Sequence, residues 1–183
     1  MSTIDGTLKY LLRRVTYAKA STRDPALASP ILPLVPCVSV FHPITETPPG
    51  RETGVIVNGS ERVSGDIEAL RHRLATTVGG EIVFATNTID LDDFEAAFAR
   101  TRTLITNSFH AAYWGLLSGR AVHIIGYSSK FTNLARLFGF SPNAVEKVAR
   151  GDGADLAAAI ARCHGQAGLQ LKDPAATRHA PAC

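Results

Sequence analysis

Short apolar segments alternate with amphipathic segments along most of the chain after residue 50. Four apolar segments have the length of buried strands and span residues 54–58, 81–85, 103–106 and 121–125. Segments with helical spacing span residues 66–78, 91–100, 108–118, 129–138, 143–149 and 155–166. Strands that alternate with helices in this way predict an α/β fold, namely a single Rossmann-like, doubly wound parallel sheet with helices on both faces.

The two ends of the chain interrupt this regularity. Residues 7–15 predict a short amphipathic helix, and Asp24 and Pro25 predict a turn or a helix start. Residues 30–50 contain six prolines, which favours a linker with one short strand at residues 37–41. The predicted organisation is an N-terminal helix and strand remnant at residues 1–29, a Pro-rich linker at 30–50, a Rossmann-like domain at 51–172 and a flexible tail at 173–183.

Composition narrows the classes of function. The 183 residues are 45% hydrophobic and 19% charged, which suits one globular domain. The net charge of +3 comes from scattered Lys and Arg residues, which suits an anionic small ligand or membrane surface and does not favour a nucleic-acid partner. Three cysteines without a Cys-x-x-Cys pair favour a reducing compartment.

The apolar segments also predict where the protein is located. The N-terminus lacks the uninterrupted apolar core of a signal peptide. No apolar run reaches the roughly 18 residues of a membrane span. We therefore expect a cytoplasmic protein, with the inner membrane surface as an alternative location.

The candidate chemistry lies in the loops that follow the predicted strands, because ligands of such sheets bind at the carboxyl ends of the strands. These loops are small and polar, and they contain Asn58, Gly59 and Ser60, then Thr86, Asn87 and Thr88, then Asn107, Ser108, Phe109 and His110, and finally Tyr127, Ser128, Ser129 and Lys130. They suit a ligand with several hydroxyls and a phosphate or carboxylate. We expect no metal, because no Asp, Glu or Cys joins His110 in metal-ligand spacing, and no dinucleotide cofactor, because Gly59 does not begin a Gly-x-Gly-x-x-Gly motif.

Simpler roles compete with these functional interpretations. Asn107 and Ser108 are residue types that commonly cap a helix, and capping is compatible with ligand binding. A histidine in the first turn of a helix, such as His110, is most often structural. Lys130 is different, because a cation at the start of a helix is unfavourable against the helix dipole unless an anion is bound or an acidic partner is near.

Two segments resemble the polysaccharide pyruvyl transferase family. The first runs from Leu104 to Ala112 through the turn Asn-Ser-Phe-His110, and the second runs from Gly126 to Gly139 through Lys130 and ends in Leu-Phe-Gly. Arg23, within Ser-Thr-Arg-Asp, is similar to the arginine of the family's turn between domains. The resemblance covers about residues 16–142 and is strongest from 103 to 139.

The resemblance implies an architecture and an activity. The family has a GT-B-like arrangement of two Rossmann-like domains, of which this chain resembles the C-terminal half. It transfers a pyruvyl group from phosphoenolpyruvate to sugar hydroxyls in exopolysaccharide or cell-wall polymer synthesis. Carried over to this sequence, the resemblance implies His110 as the catalytic residue and Lys130 and Arg23 as substrate-binding residues. The loops after the predicted strands add Asn107, Ser108, Asn58 and Ser128 as expected substrate-binding residues.

Two alternatives remain open from the sequence. Ser108 stands where the Arg-Leu-His members of that family have an arginine, so a nucleotide-sugar is an alternative donor. A truncated, non-catalytic binding or oligomerisation module is the second alternative. For a transferase, the chain is expected to lack the N-terminal domain, so a second copy or a complementary N-terminal-domain partner is expected to supply the other wall of the cleft.

Overall fold

Five parallel strands form one sheet in the computed structural model, which describes Ser29 and residues 38–179. The strands are β1 (Glu52–Val57), β2 (Ile82–Thr86), β3 (Thr101–Thr106), β4 (Ala121–Gly126) and β5 (Glu146–Lys147). Their order is β2-β1-β3-β4-β5, and every pair is parallel. The predicted α/β fold with a Rossmann-like, doubly wound sheet is therefore confirmed.

Helices cover both faces of this sheet. They are α1 (Glu61–Ser64), α2 (Ile67–Thr77), α3 (Leu91–Arg100), α4 (Phe109–Leu117), α5 (Ser129–Leu137), α6 (Gly153–Cys163) and α7 (Pro174–His179), with 3-10 helices at Val38–Phe41, Pro43–Glu46 and Pro142–Ala144. The hydrophobic side chains of α3, α4 and α5 lie in one core cluster, whereas those of α2 and α6 lie in the other. None of the helices among residues 38–179 is long and apolar enough to cross a membrane.

The central strands are apolar on both faces because each face meets a helical layer. In β3, Leu104 belongs to the cluster under α4, and the next residue, Ile105, belongs to the cluster under α2 and α6. Both side chains are fully buried, and burying a side chain of this size contributes about 1.5–3 kcal/mol. This alternation explains why the strands read as continuous apolar segments in the sequence.

The order of the strands creates a crevice between β1 and β3. The chain leaves β1 towards β2 through α2, which covers one face, and it leaves β3 towards β4 through α4, which covers the other face. The loops after these two neighbouring strands therefore diverge to opposite faces. In doubly wound sheets this switch point is where ligands bind.

The prediction of a strand at residues 37–41 was wrong, because Val38–Phe41 is a 3-10 helix. The segment lies against α4 and is not beside a free edge of the sheet: the indole Nε1 of Trp114 donates a hydrogen bond to the carbonyl of Ser39 at 3.0 Å. Ile44, also within the predicted linker, is 1% exposed and belongs to the core.

The prediction of a helix at residues 143–149 was also wrong. Pro142–Ala144 forms a single 3-10 turn, and β5 follows it and pairs with the end of β4. Buried Val145 lies where a side chain at Gly126 would collide with it, 2.7 Å from an ideal Cβ. Pairing with β4 therefore overrides the local helical pattern.

The remaining sequence predictions concern the two ends. In the predicted tail, Pro174–His179 is a helix, and Asp173 accepts a hydrogen bond from the backbone N–H of Ala176 at 2.8 Å. The helix predicted at residues 7–15, the turn at Asp24 and Pro25, and Arg23 lie outside the described residues.

Candidate anion-binding site at the carboxyl edge of the sheet

Asn107 closes the crevice between β1 and β3. Its side chain is fully buried, and its Oδ1 accepts a hydrogen bond from the backbone N–H of Asn58 at 2.7 Å. Its Nδ2 donates to Oγ of Ser64 at 2.9 Å, and that hydroxyl donates to the carbonyl of Asn58 at 2.6 Å. Because both ends of the amide bind within the protein, Asn107, predicted to bind substrate, is placed to position the two loops.

The loops after β1 and β2 are joined in a similar way. Oδ1 of Asn58 accepts from the N–H of Ser60 at 3.0 Å, and the N–H of Gly59 donates to Oδ1 of Asn87 at 2.9 Å. A Cβ at Gly59 would lie 2.1 Å from Oγ1 of Thr88, so the close approach of the two loops requires glycine. Asn58, a predicted substrate-binding residue, is half-buried beside this junction.

A third junction joins the loop after β5 to the loop after β1. The N–H of Gly151 donates to the carbonyl of Val63 at 2.9 Å. Gly65 and Gly153 approach so closely that a Cβ on Gly65 would lie 2.9 Å from the backbone nitrogen of Gly153. Gly65 and Gly151 also have φ angles of 71° and 82°, which favour glycine. Four of the loops at this edge therefore hold one another in place.

Ser108 is a buried polar group that the protein leaves unsatisfied. It is the N-cap residue of α4 and is 1% exposed, yet its side chain forms no capping bond and its Oγ has no hydrogen-bond partner. Leaving a buried hydroxyl unpaired costs about 1–3 kcal/mol, and such groups are uncommon in native proteins. The opening turn of α4 is therefore a place where a bound group could supply a missing partner.

His110 lies in the first turn of α4 with its side chain exposed. Its ring stacks on Trp114, with the ring centroids 5.5 Å apart, and meets Phe109 edge-on at 5.7 Å. His42 contacts the same indole at 5.4 Å. These contacts hold the imidazole at the carboxyl edge while it remains open to solvent.

Lys130 lies in the first turn of α5, also exposed. Its Nζ is 5.0 Å from the centroid of the Tyr127 ring and 5.9 Å from that of Phe109. The Phe109 ring therefore neighbours both Lys130 and His110, which are the two ionisable residues predicted at this edge. A cation over an aromatic face is stabilised by about 0.5–1 kcal/mol at exposed sites.

The helix starts at this edge differ in how their positive ends are neutralised. In α2, α3 and α6 the N-cap is an aspartate whose carboxylate accepts backbone hydrogen bonds, and a further acidic residue follows in the first turn. In α4 and α5 the N-caps are Ser108 and Ser128, neither side chain caps, and the first turn has no acidic residue. The helix dipole, without an acidic or capping side chain to neutralise it, therefore makes these two starts attractive to an anion.

Sequence reasoning placed Tyr127 at this edge without giving it a role, and it missed Arg150. Cζ of Arg150 lies 5.9 Å from the centroid of the Tyr127 ring, which Lys130 also contacts. Arg150 follows β5, a two-residue strand that is too short to show alternation, so the sequence placed Arg150 beyond a helix. If β5 had been predicted as a strand, Arg150 would have followed it and would have been placed at the carboxyl edge.

Ser128 and Arg23 are the two remaining residues that were predicted to bind substrate. Ser128 is exposed at the start of α5, and Arg23 lies outside the described residues. Within residues 38–179, no group of three or more His, Cys, Asp and Glu side chains is arranged to hold a metal ion.

No family model, curated protein or solved structure matches this chain.

Proposed function

We propose that this protein is a transferase of the polysaccharide pyruvyl transferase type, which moves a pyruvyl group from phosphoenolpyruvate to a sugar hydroxyl in exopolysaccharide or cell-wall polymer synthesis. One observation carries the proposal: the starts of α4 and α5 are left without capping side chains or acidic residues, beside Lys130 and the unpartnered hydroxyl of Ser108. Such a site suits a small ligand with two anionic groups, and phosphoenolpyruvate has a phosphate and a carboxylate.

The reaction requires a proton at carbon 3 of phosphoenolpyruvate and the loss of a proton from each attacking hydroxyl. Carbon 3 of phosphoenolpyruvate takes a proton and becomes a methyl group, which leaves carbon 2 as an oxocarbenium ion. One sugar hydroxyl adds to carbon 2 and loses its proton, after which the bond between carbon 2 and the phosphate oxygen breaks. The phosphate leaves with one proton, and carbon 2 is again an oxocarbenium ion. A second hydroxyl then adds and loses its proton, giving the pyruvyl ketal and inorganic phosphate.

His110 is the proposed general acid and base for these proton transfers. Imidazole can donate a proton to carbon 3 and then accept one from an attacking hydroxyl. Its ring is exposed at the start of α4, and the stacking on Trp114 limits its orientation. Positioned acid–base groups of this kind contribute about 10²–10⁴-fold to a rate.

Lys130 and the opening turns of α4 and α5 hold the donor in this proposal. The ammonium group and the backbone N–H groups of a helix start are all donors, so they match the oxygens of a phosphate or carboxylate. The same groups stabilise the charge that develops on the departing phosphate. Asn107 contributes by fixing the loops on which the donor would rest.

A nucleotide-sugar is the second candidate donor. The half-buried ring of Tyr127 at the end of β4 favours it, because an aromatic face there could stack on a base beside a diphosphate held by Lys130. Melting temperatures with phosphoenolpyruvate and with UDP, GDP and CMP sugars separate the two donors, since only a ligand that binds the folded protein raises the melting temperature.

The acceptor in this proposal is a saccharide. A second copy of the chain or a complementary N-terminal-domain partner would supply the other side of the cleft, where the saccharide binds. Adding the candidate partner should then raise turnover with the donor at saturation. If no donor raises the melting temperature and no product forms with any partner, the non-catalytic binding or oligomerisation module is the better account.

The direct test is pyruvyl transfer to the acceptor polymer, followed by phosphate release and by the mass of the ketal product. His110→Ala should reduce turnover on the order of 10²–10⁴-fold. His72→Ala is the matched control, because His72 is exposed on α2 in the layer on the other face of the sheet. Unchanged turnover in His110→Ala would remove His110 from the mechanism.

A further inference from the structure

Two cations share one aromatic ring at the carboxyl edge. Nζ of Lys130 and Cζ of Arg150 lie 5.0 and 5.9 Å from the centroid of the Tyr127 ring. Both side chains are exposed, and neither forms an ion pair with a carboxylate in the part of the chain that the structure describes. Arg100 and Arg162, in contrast, each bind a glutamate through two nitrogens.

The backbone around Arg150 is held from both sides. The N–H of Ala149 donates to the carboxylate of Asp155 at 2.8 Å, and the N–H of Gly151 donates to the carbonyl of Val63 at 2.9 Å. The nearest acidic residues in sequence are also occupied, since Asp152 accepts two backbone hydrogen bonds at the start of α6. Arg150 therefore projects from a fixed loop whose carboxylates already have backbone partners.

Three positive groups surround this ring, and neither side-chain cation has an ion pair among residues 38–179. They are Lys130, Arg150 and the uncapped start of α5, and like charges repel one another to an extent that salt reduces. Lys130 also lies near the ring of Phe109, the first residue of α4, which follows the unpartnered hydroxyl of Ser108. An anion between Lys130 and Arg150 would reduce the repulsion and gain two charge-assisted contacts.

We propose that Arg150 is a substrate-binding residue that, with Lys130, forms a phosphate subsite beside Tyr127. The subsite takes the phosphate of a phosphate monoester, which the planar guanidinium can bind through two N–H groups. The start of α4, with Ser108, then takes the carboxylate of the same ligand. This orientation rests on the proposed function, whereas the phosphate subsite itself can be measured without turnover.

The experiment uses the full chain and inorganic phosphate as the probe, with backbone amide NMR shifts as the readout. Titration should move the amides of residues 127–130 and 149–151, and Arg150→Gln should weaken the fitted affinity by at least about tenfold, since hydrogen bonds to charged groups are worth that much or more. Arg150→Lys should recover part of the affinity because it keeps the positive charge. The recovery should be incomplete because lysine cannot make the bidentate contact. Arg51→Gln makes the same change of charge at the opposite edge of the sheet and should leave the affinity unchanged.

The outcomes separate this inference from the proposed function. Phosphate binding that is absent, lies elsewhere or is equally tight in Arg150→Gln would overturn the subsite. A subsite that binds phosphate in a protein that transfers no pyruvyl group would leave the inference standing and remove the proposed function. Arg150 is exposed, so unchanged amide shifts away from the loop are expected to confirm that its variants are folded.

Discussion

Arg120 at the amino edge of the sheet and Lys130 and Arg150 at the carboxyl edge have opposite environments. At the amino edge, just before β4, the guanidinium of Arg120 is fully buried and makes five hydrogen bonds, to Oγ1 of Thr101, Oγ of Ser118 and the carbonyls of Thr47, Pro48 and Phe98. It also lies 3.9 Å from the centroid of the Phe98 ring. Burial lowers the pKa of Arg120 to about 10, which leaves it charged at neutral pH.

At the carboxyl edge, Lys130 and Arg150 contact aromatic rings and remain exposed, and Ser108 keeps a buried hydroxyl without a partner. The protein thus satisfies every guanidinium donor of Arg120 with its own groups, and it leaves donors unsatisfied where the strands end. The difference separates the polar groups that maintain the fold from those that we propose bind a ligand.

Removing Arg120 should have the largest effect on stability. Arg120→Met would remove all five hydrogen bonds of a fully buried guanidinium, so we expect a loss of about 3–5 kcal/mol in the free energy of unfolding. Urea unfolding measures this loss, with Arg51→Met as the control for a change at an exposed arginine. A loss no larger than that of the control would contradict the structural role of Arg120.

The two serines Ser118 and Ser108 sharpen the comparison. Oγ of Ser118 donates to the carbonyl of Trp114 at 2.6 Å and accepts from Arg120 at 2.6 Å, so Ser118→Ala should cost about 1–2 kcal/mol. Ser108→Ala removes a hydroxyl without a partner and should leave stability unchanged or higher. Urea unfolding without ligand measures the free energy of unfolding of both variants. An equal loss in Ser118→Ala and Ser108→Ala would contradict the difference between the two hydroxyls.

Lys130 should contribute little to the stability of the ligand-free protein. Lys130→Gln removes a cation from the positive end of α5, which is worth about 0.3–1 kcal/mol at low salt, and it also removes a cation–π contact with Tyr127 that is worth about as much. The melting temperature without phosphate should therefore stay nearly unchanged, whereas added phosphate should raise the melting temperature of the parent protein more than that of the variant. Thermal melting at two phosphate concentrations gives both values, and an equal rise in the two proteins would contradict the account.

The smallest effect is expected at the exposed pair of Glu52 and Arg100 on the amino edge. Hydrogen bonding from Arg100 at 2.8 and 3.0 Å lowers the pKa of Glu52. The carboxylate is then favoured in the folded state, so its stabilisation is present above about pH 4.5, the ordinary pKa of glutamate, and is lost as the pH falls through the lowered value. Glu52→Gln should slightly flatten the fall in melting temperature between pH 6 and 3, and an unchanged curve would show that the pair is screened by solvent.

The fold was predictable where one segment of sequence determines one element. The strands β1 to β4 are apolar on both faces, and the helices α2 to α5 have clear spacing, so their order along the chain indicated the architecture. Residues 146–147 form a strand only because β4 pairs with them, so β5 and the position of Arg150 could not be read from local pattern.

The site was predictable in part for the same reason. The sequence placed Ser108, His110 and Lys130 at the carboxyl edge because each follows a clear strand. The partners of Asn107 and Arg120 are distant in sequence, namely Asn58 and Ser64 for the former and Thr47, Pro48 and Phe98 for the latter. Their burial therefore depends on tertiary contacts, which composition and spacing do not encode.

A map of backbone amide shifts on titration with phosphoenolpyruvate tests the central claim most directly, because it locates the anion without assuming turnover. The account predicts that the largest shifts fall on residues 108–111 at the start of α4 and on residues 128–130 at the start of α5, with little change at the aspartate-capped starts of α2 and α3. Shifts that are absent, or that fall mainly at the amino edge around Arg51 and Arg102, would contradict the account.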